Sequence, residues 1–202
     1  MPVLLDVDQT PPSLSCEVGA PGPIFLLRGT GGTVSATVED ETSGPAEGSE
    51  SAAAGTATVG NKTVSLTGQD VAGNTTTASC PYRVKFRFLG FSSPKPGSRH
   101  GAGSSIQVRF RLGDASGARL PDGEAQTLVT PICRAAITLD GVRQPGCAAY
   151  DREDNRFEYR LRTSRSLTPG SHTVGIVVSA ADGTVVNEES VAVAIRRGGD
   201  DD

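Results

Sequence analysis

Tryptophan is missing from this chain of 202 residues, methionine occurs once, histidine twice, and aromatic side chains make up only 4 %. Any core must therefore be assembled from Val, Ile, Leu and Ala, which individually bury less surface than rings do. Long apolar runs are missing too. Nothing approaches the roughly 18 residues that a membrane-crossing helix needs, so no membrane span is predicted. The amino end, Met1-Pro2-Val3-Leu4-Leu5-Asp6, lacks the basic stretch and apolar segment of a secretory leader. The expectation is a piece of a longer exported polypeptide, or a chain whose start has been cut. No stretch carries the apolar period of a long helix.

What is present points to β structure. The chain holds 25 glycines and 13 prolines, and short runs rich in Val, Thr and Ser lie between them. Branched side chains suit a pleated surface, while Gly and Pro punctuate it. The four cysteines, Cys16, Cys80, Cys133 and Cys147, form no C-x-x-C pair and are too dispersed for a zinc site. They predict disulfides, and with them an oxidising, secreted or cell-surface location. Of the three possible connectivities, Cys16–Cys80 with Cys133–Cys147 is the expected one, because each bridge then stays within one half of the chain. No cofactor is expected.

Those halves differ in charge. Up to residue 81 there are nine acidic residues against Arg28 and Lys62, whereas 17 of the 19 basic residues follow. In the first half Val34, Ala36 and Val38 alternate with polar residues, as do Val64 and Leu66, which predicts half-buried strands. Between them Gly44 to Gly55 shows no apolar period and is expected to be a crossing loop. In the second half the period-2 runs are Val84 to Phe88, Ile106 to Leu112, Phe157 to Leu161, Val174 to Val178 and Val191 to Ile195. Asp182-Gly183 predicts a two-residue hairpin, since Asp-Gly accepts the positive φ angles of a type I′ turn. The predicted fold class is all-β, two tandem immunoglobulin-like β-sandwich domains over 6–85 and 86–197, with 198–202 as an acidic tail or linker stub.

Two passages carry a resemblance. Asp8-Gln9-Thr10-Pro11-Pro12 near the start and Asp70-Val71-Ala72-Gly73-Asn74 running into Cys80 resemble bacterial immunoglobulin-like repeats, which open on D-x-T-P-P and close on a D-x-A-G-N turn. The second half is similar to the actinobacterial immunoglobulin-like module called PxKF. The matching parts are Pro94-Lys95 with Gly97, the Ile106 to Leu112 strand followed by Asp114 and Gly117, Tyr150-Asp151 leading to Phe157-Glu158-Tyr159, and Leu167 to Gly170. Where that family reads Pro-x-Lys-Phe, this chain has Gln107-Val108-Arg109-Phe110, keeping the Phe. The resemblance implies a structural or adhesive module with no catalytic residues to carry over.

Candidate chemistry is sparse. A hydrolytic triad drawn from Ser98 or Ser104, His100 and Asp114 lacks a nucleophile elbow, and both His100 and His172 are expected on exposed loops. Gly101-Ala102-Gly103 precedes a strand rather than a helix, so it is no phosphate cradle. Asp6, Asp8 and Asp70, with Glu39 to Glu41 as further donors, offer hard oxygens of the kind Ca²⁺ takes, although a plain acidic surface is the favoured explanation and no metal is assigned. Arg83, Lys85, Arg87, Arg109, Arg111, Arg160 and Arg162 all fall on the outward phase of predicted strands, which makes them a candidate anion-binding face. Aromatic residues for base stacking are not interleaved with them, so nucleic acid is not an expected partner.

The function expected from these residues is a non-catalytic structural or spacer module of a secreted or cell-surface bacterial multidomain protein. Its partners would be the neighbouring domains of a longer chain, and the fragment itself would be monomeric. The alternative is an adhesion or polymer-binding module. It would recognise a cell-wall or other anionic polymer through the basic face, or a protein through the 113–131 and 140–155 loops, with Tyr150 as an aromatic platform.

Overall fold

The structure is a computed structural model that describes residues 7–17 and 22–197. The chain divides into two compact units, Met1–Phe25 with Gly29–Val84, and Leu26–Arg28 with Lys85–Asp202. Each is an immunoglobulin-like β-sandwich.

In the first unit β1 (Ser13–Cys16), β3 (Thr33–Glu39) and β4 (Ser49–Ala53) form one sheet in the order β1-β3-β4. The other takes the order β2-β6-β5, from β2 (Ile24–Leu26), β5 (Gly60–Gln69) and β6 (Thr75–Lys85). Val34, Ala36 and Val38 from one sheet meet Leu66, Cys80, Tyr82 and Val84 from the other, all buried. This is the alternation read from the sequence. Cys16 and Cys80 are joined across the two sheets with their Cα atoms 5.5 Å apart.

The expected crossing loop at Gly44 to Gly55 contains β4, a correction to the sequence reading. Its Ser-Glu-Ser-Ala-Ala residues have side chains too small to register a hydrophobic period. Pairing with β3, from Thr33 opposite Ala53 to Thr37 opposite Ser49, holds the strand instead.

In the second unit a four-stranded sheet takes the order β12-β13-β9-β7, from β7 (Arg87–Ser93), β9 (Ser105–Gly113), β12 (Ala149–Asp151) and β13 (Arg156–Arg162). Facing it is a five-stranded sheet, β11-β10-β14-β15-β8, from β8 (Ser98–Gly101), β10 (Ala135–Leu139), β11 (Val142–Arg143), β14 (Gly170–Ser179) and β15 (Val185–Arg196). The short β8 pairs in parallel with β15. One helix, α1 (Asp122–Thr127), lies in the long connection after β9. The core is Ile106, Val108, Phe110 and Leu112 of β9 and Phe157 and Leu161 of β13, set against Ile137, Val174, Ile176, Val178, Val191, Val193 and Ile195. With so few rings available, the unit stacks two of its three buried phenylalanines: Phe110 and Phe157 lie 5.0 Å apart and nearly parallel. Cys133 and Cys147 form the second bridge, Cα atoms 5.4 Å apart, around the β10–β11 hairpin.

The β14–β15 hairpin is longer than the sequence predicts. Ala180 N–H donates to Thr184 O at 2.8 Å and Gly183 N–H to Ala180 O at 3.1 Å, so three residues form the loop. Gly183 has φ +86°, while Asp182 keeps a negative φ. A type I′ turn needs positive φ at both central residues, and only the glycine takes it.

Candidate functional site

Three groups of polar residues merit a chemical reading. The first lies at one end of the first unit, where the loop entering β1, the turn after β3 and the β5–β6 turn meet. Asp8, Asp40 and Asp70 offer oxygens that all lie within 4.8 Å of one another. Asp70 is 2 % exposed. Its two carboxylate oxygens accept the Asn74 backbone N–H and the Asn74 side-chain N–H, each at 2.8 Å. The same Asn74 amide donates to Asp8 O at 3.2 Å and Thr10 O at 3.4 Å. The two passages that carry the family resemblance are thereby tied to one another.

Asp40 Oδ1 accepts backbone N–H groups from Thr42, Ser43 and Gly44 at 3.1, 2.7 and 2.9 Å. Asp8 accepts the Thr10 N–H at 2.8 Å. That bond, followed by one from the Ser43 hydroxyl, holds the Asp8 carboxyl below the usual range. Of the sequence candidates for Ca²⁺, Asp8 and Asp70 come together, Asp40 joins them, and Asp6 lies outside the described residues. Carboxylates so arranged suit a hard cation. Among the described residues, however, their hydrogen bonds already give them the work of organising three loops.

The second group is the set of basic residues, and the structure does not gather the seven onto one face. Arg83 and Lys85 are on β6, in a different sheet from the rest. Arg83 Nε donates to Asn61 at 3.0 Å, and Arg87 donates to Ala115 O at 3.0 Å. On the outer face of β9 and β13, Glu158 sits opposite Arg109. Arg109 Nε approaches its carboxylate to 3.0 Å, an ion pair by distance that lacks the alignment of a hydrogen bond. Arg156 binds Glu158, Asp154 at 2.6 Å and Asp151 at 3.3 Å. Arg111 donates to Asp154 O at 3.3 Å. That half of the face is internally neutralised, which corrects the expectation of a continuous basic stripe. Arg160 and Arg162 remain exposed, opposite the neutral Gln107 and Ser105.

The histidines form the third group, and neither lies on an exposed loop. His100 is on β8, where its Nε2 and the Ser98 hydroxyl are 2.9 Å apart, and burial pushes its pKa down. Asp114 bonds to Ser116 and Ala118 instead, so the imagined triad is not assembled. His172, on β14, has a side chain only 10 % exposed. Its Nδ1 lies 2.6 Å from Asp140 Oδ2 and its Nε2 2.8 Å from Thr168 O. Two acceptors require N–H on both ring nitrogens, which is the imidazolium. Those bonds, to Asp140 first and then to Thr168, raise the His172 pKa. Burial alone would raise the Asp140 carboxyl, but the bonds from His172 and Thr173 hold it low. Sequence reasoning missed this pair because Asp140 and His172 are 32 residues apart and only sheet pairing brings them together.

Tyr150 is not a free platform. Its hydroxyl donates to Asp122 Oδ1 at 2.6 Å and its ring tilts onto Phe157 with centroids 5.3 Å apart. Burial first, then the Asp122 carboxylate, pushes its pKa up to about 12. The two long loops do come together at the second disulfide. A shallow cleft there is lined by Val129, Pro131, Arg143 and Pro145.

No family model matches the chain, and neither does any curated protein. Among solved structures it is similar to the fibronectin(III)-like modules of CbhA from Clostridium thermocellum, at 14 % identity and a TM-score of 0.38, over 94 % of this chain and 97 % of that one. A chimeric titin Z1Z2 tandem matches at 10 % identity and a TM-score of 0.34, over 92 % and 98 %. CopC from Methylosinus trichosporium OB3b matches at 15 % and 0.34, over 58 % of this chain and 99 % of that one. At such identities and scores these are likenesses only, and the fold assignment rests on the sheet orders and the cross-sheet bridge. By those features the chain is a tandem of disulfide-pinned immunoglobulin-like β-sandwiches.

Proposed function

We propose that the chain is a non-catalytic structural module of an exported multidomain protein, a bacterial immunoglobulin-like repeat over residues 6–85 followed by a PxKF-like sandwich over 86–197. The observation that carries this reading is the pair of disulfides, one in each unit, with no free cysteine. Such bridges persist in oxidising compartments and are reduced in the cytosol. The knot of Asp8, Asp70 and Asn74 supports the assignment of the first unit, since it gives the D-x-T-P-P and D-x-A-G-N segments one shared structural job. In this role the module holds neighbouring domains of a longer chain apart at or beyond the cell surface. The test is fractionation of the native source followed by alkylation without reductant. The reading expects the protein outside the cytoplasm with all four cysteines unlabelled. Labelled thiols or a cytoplasmic location overturn it.

A further inference from the structure

The basic residues that matter lie toward one end of the second unit, with Arg160 and Arg162 at that end of the outer face of β13. Three segments meet there: the turn between β8 and β9, the loop between β13 and β14, and the end of β15. Backbone bonds join them at residues 102 to 104. Ala102 N–H donates to Arg196 O at 2.9 Å, Gly103 N–H to Ser164 O at 3.0 Å, and Thr163 N–H to Ser104 O at 3.0 Å. The stem of Arg165 lies across Gly103, where an added Cβ would meet Arg165 Cγ at 2.6 Å.

These segments, residues 98–107, 160–173 and 190–197, contain Arg99, Arg160, Arg162, Arg165, Arg196 and Arg197 and no acidic residue. All six arginines are exposed. Among the described residues, Arg160, Arg162 and Arg165 have neither an ion pair nor a side-chain hydrogen bond. Asp140 reaches this end from the β10–β11 turn, and its carboxylate is already taken by His172 and the Thr173 N–H. The carboxylates that neutralise Arg109 and Arg156 lie toward the opposite end, where β13 begins. The unit is therefore polarised along its strands.

We propose that this arginine end binds an acidic polysaccharide. The proposal deepens the module reading above and rests on it, giving the module a polymer to hold. Guanidinium groups two residues apart on a strand, as Arg160 and Arg162 are, stand roughly 7 Å apart and can engage successive anionic groups of a chain. Ser105 lies opposite Arg162, and Ser164, Ser166, Thr168 and Ser171 fall in the same segments, hydroxyls suited to a hydroxyl-rich ligand. Val142 sits in the β10–β11 hairpin beside Asp140, but the three segments themselves carry no large exposed apolar side chain with which to enter a membrane. The same segments carry no Phe, Tyr or Trp ring on which a base could stack.

Heparin is the probe. The folded chain is expected to be retained on immobilised heparin at about 0.05 M NaCl and released by about 0.5 M, as charge attraction requires. Joint replacement Arg160→Gln, Arg162→Gln and Arg165→Gln is expected to weaken heparin binding about tenfold or more. Arg109→Gln with Arg111→Gln on the neutralised face should change it less than about twofold. Should the triple variant misfold by circular dichroism, Arg196→Gln with Arg197→Gln provides the same comparison at the same end. Absence of retention at low salt, or equal losses from the face and end variants, overturns the proposal. So does binding of single-stranded DNA as tight as heparin, or co-sedimentation with phosphatidylglycerol vesicles, since these would point to a nucleic acid or a membrane. Failure on heparin leaves the structural-module reading standing, because that reading is judged by location and cysteine labelling.

Discussion

The Asn187 carboxamide occupies a place that a neighbouring strand would otherwise fill. Phe86 N–H donates to Asn187 Oδ1 at 3.1 Å, and Asn187 Nδ2 donates back to Phe86 O at 3.0 Å, both in the buried interior. Phe86 lies in the gap between β6 and β7, where ladder pairing lapses, and the side chain completes its backbone bonds. Asn187→Leu leaves a buried N–H and C=O without partners, and unsatisfied groups of this kind cost about 1–3 kcal/mol each. The expected outcome is a destabilisation of about 2–4 kcal/mol, read from urea unfolding. At the same scale, His172 and Asp140 define a pH window. The His172 pKa is raised by folding, so its contribution is complete below about 6.5 and is lost as pH climbs through the folded value. The Asp140 pKa is lowered, so its contribution holds above about 3.9 and is lost as pH falls through the folded value. Wild type and His172→Gln should therefore differ most between about pH 4 and 6.5 and converge on the alkaline side. Because Asp140 is 45 % exposed, the gap is discounted to about 0.5–1 kcal/mol. Melting curves across pH check it, and a gap that persists unchanged to pH 9 contradicts the imidazolium assignment.

Among elements, the two bridges differ in the loop each closes. Cys16 and Cys80 are separated by 64 positions, Cys133 and Cys147 by 14. The chain-entropy account makes the longer closure worth more by about 1 kcal/mol. Replacing the Cys16–Cys80 pair by alanine should thus cost more than replacing Cys133–Cys147, measured as the loss of unfolding free energy in guanidinium. The packing of β5 against the facing sheet has its own sensitive point. A Cβ on Gly68 would meet Leu14 Cδ1 at 2.7 Å and Val38 Cγ1 at 2.9 Å. Gly68→Ala is expected to destabilise the first unit by about 1–3 kcal/mol through overpacking.

Over the whole molecule, the boundary between units is not a single cut in the chain. Leu26–Arg28 belongs to the second unit. Leu27 is fully buried, its N–H donates to Lys85 O at 2.8 Å, and its carbonyl accepts Ala115 N–H at 2.8 Å. A fragment beginning at Lys85 loses that side chain and both bonds. It should melt below the same unit within the full chain, with roughly 1.5–3 kcal/mol lost from the leucine alone. Equal melting temperatures in calorimetry would show that Leu27 contributes little.

The sequence by itself determined the all-β class, the alternating core positions from Val34 to Ile195 and the absence of a long helix. These follow from local period and turn chemistry, which can be read within short windows of the chain. It also singled out Asp8, Asp70 and Asn74 as parts of two motifs. Only the tertiary structure decided that these side chains share one knot with Asp40, that β4 exists, and that His172 is an ion-paired clamp. It also decided that Arg160, Arg162 and Arg165, which carry no ion pair, gather at one end with Arg99, Arg196 and Arg197. Strand register sets which charges face one another, and register is a long-range property. Glu158 lands opposite Arg109 and neutralises one half of the face, whereas Gln107 and Ser105 land opposite Arg160 and Arg162 and leave the other half free. Arg165 and Arg196 belong to segments with no shared period, and the pairing of β15 with β8 together with backbone bonds at the β8–β9 turn brings them to that half.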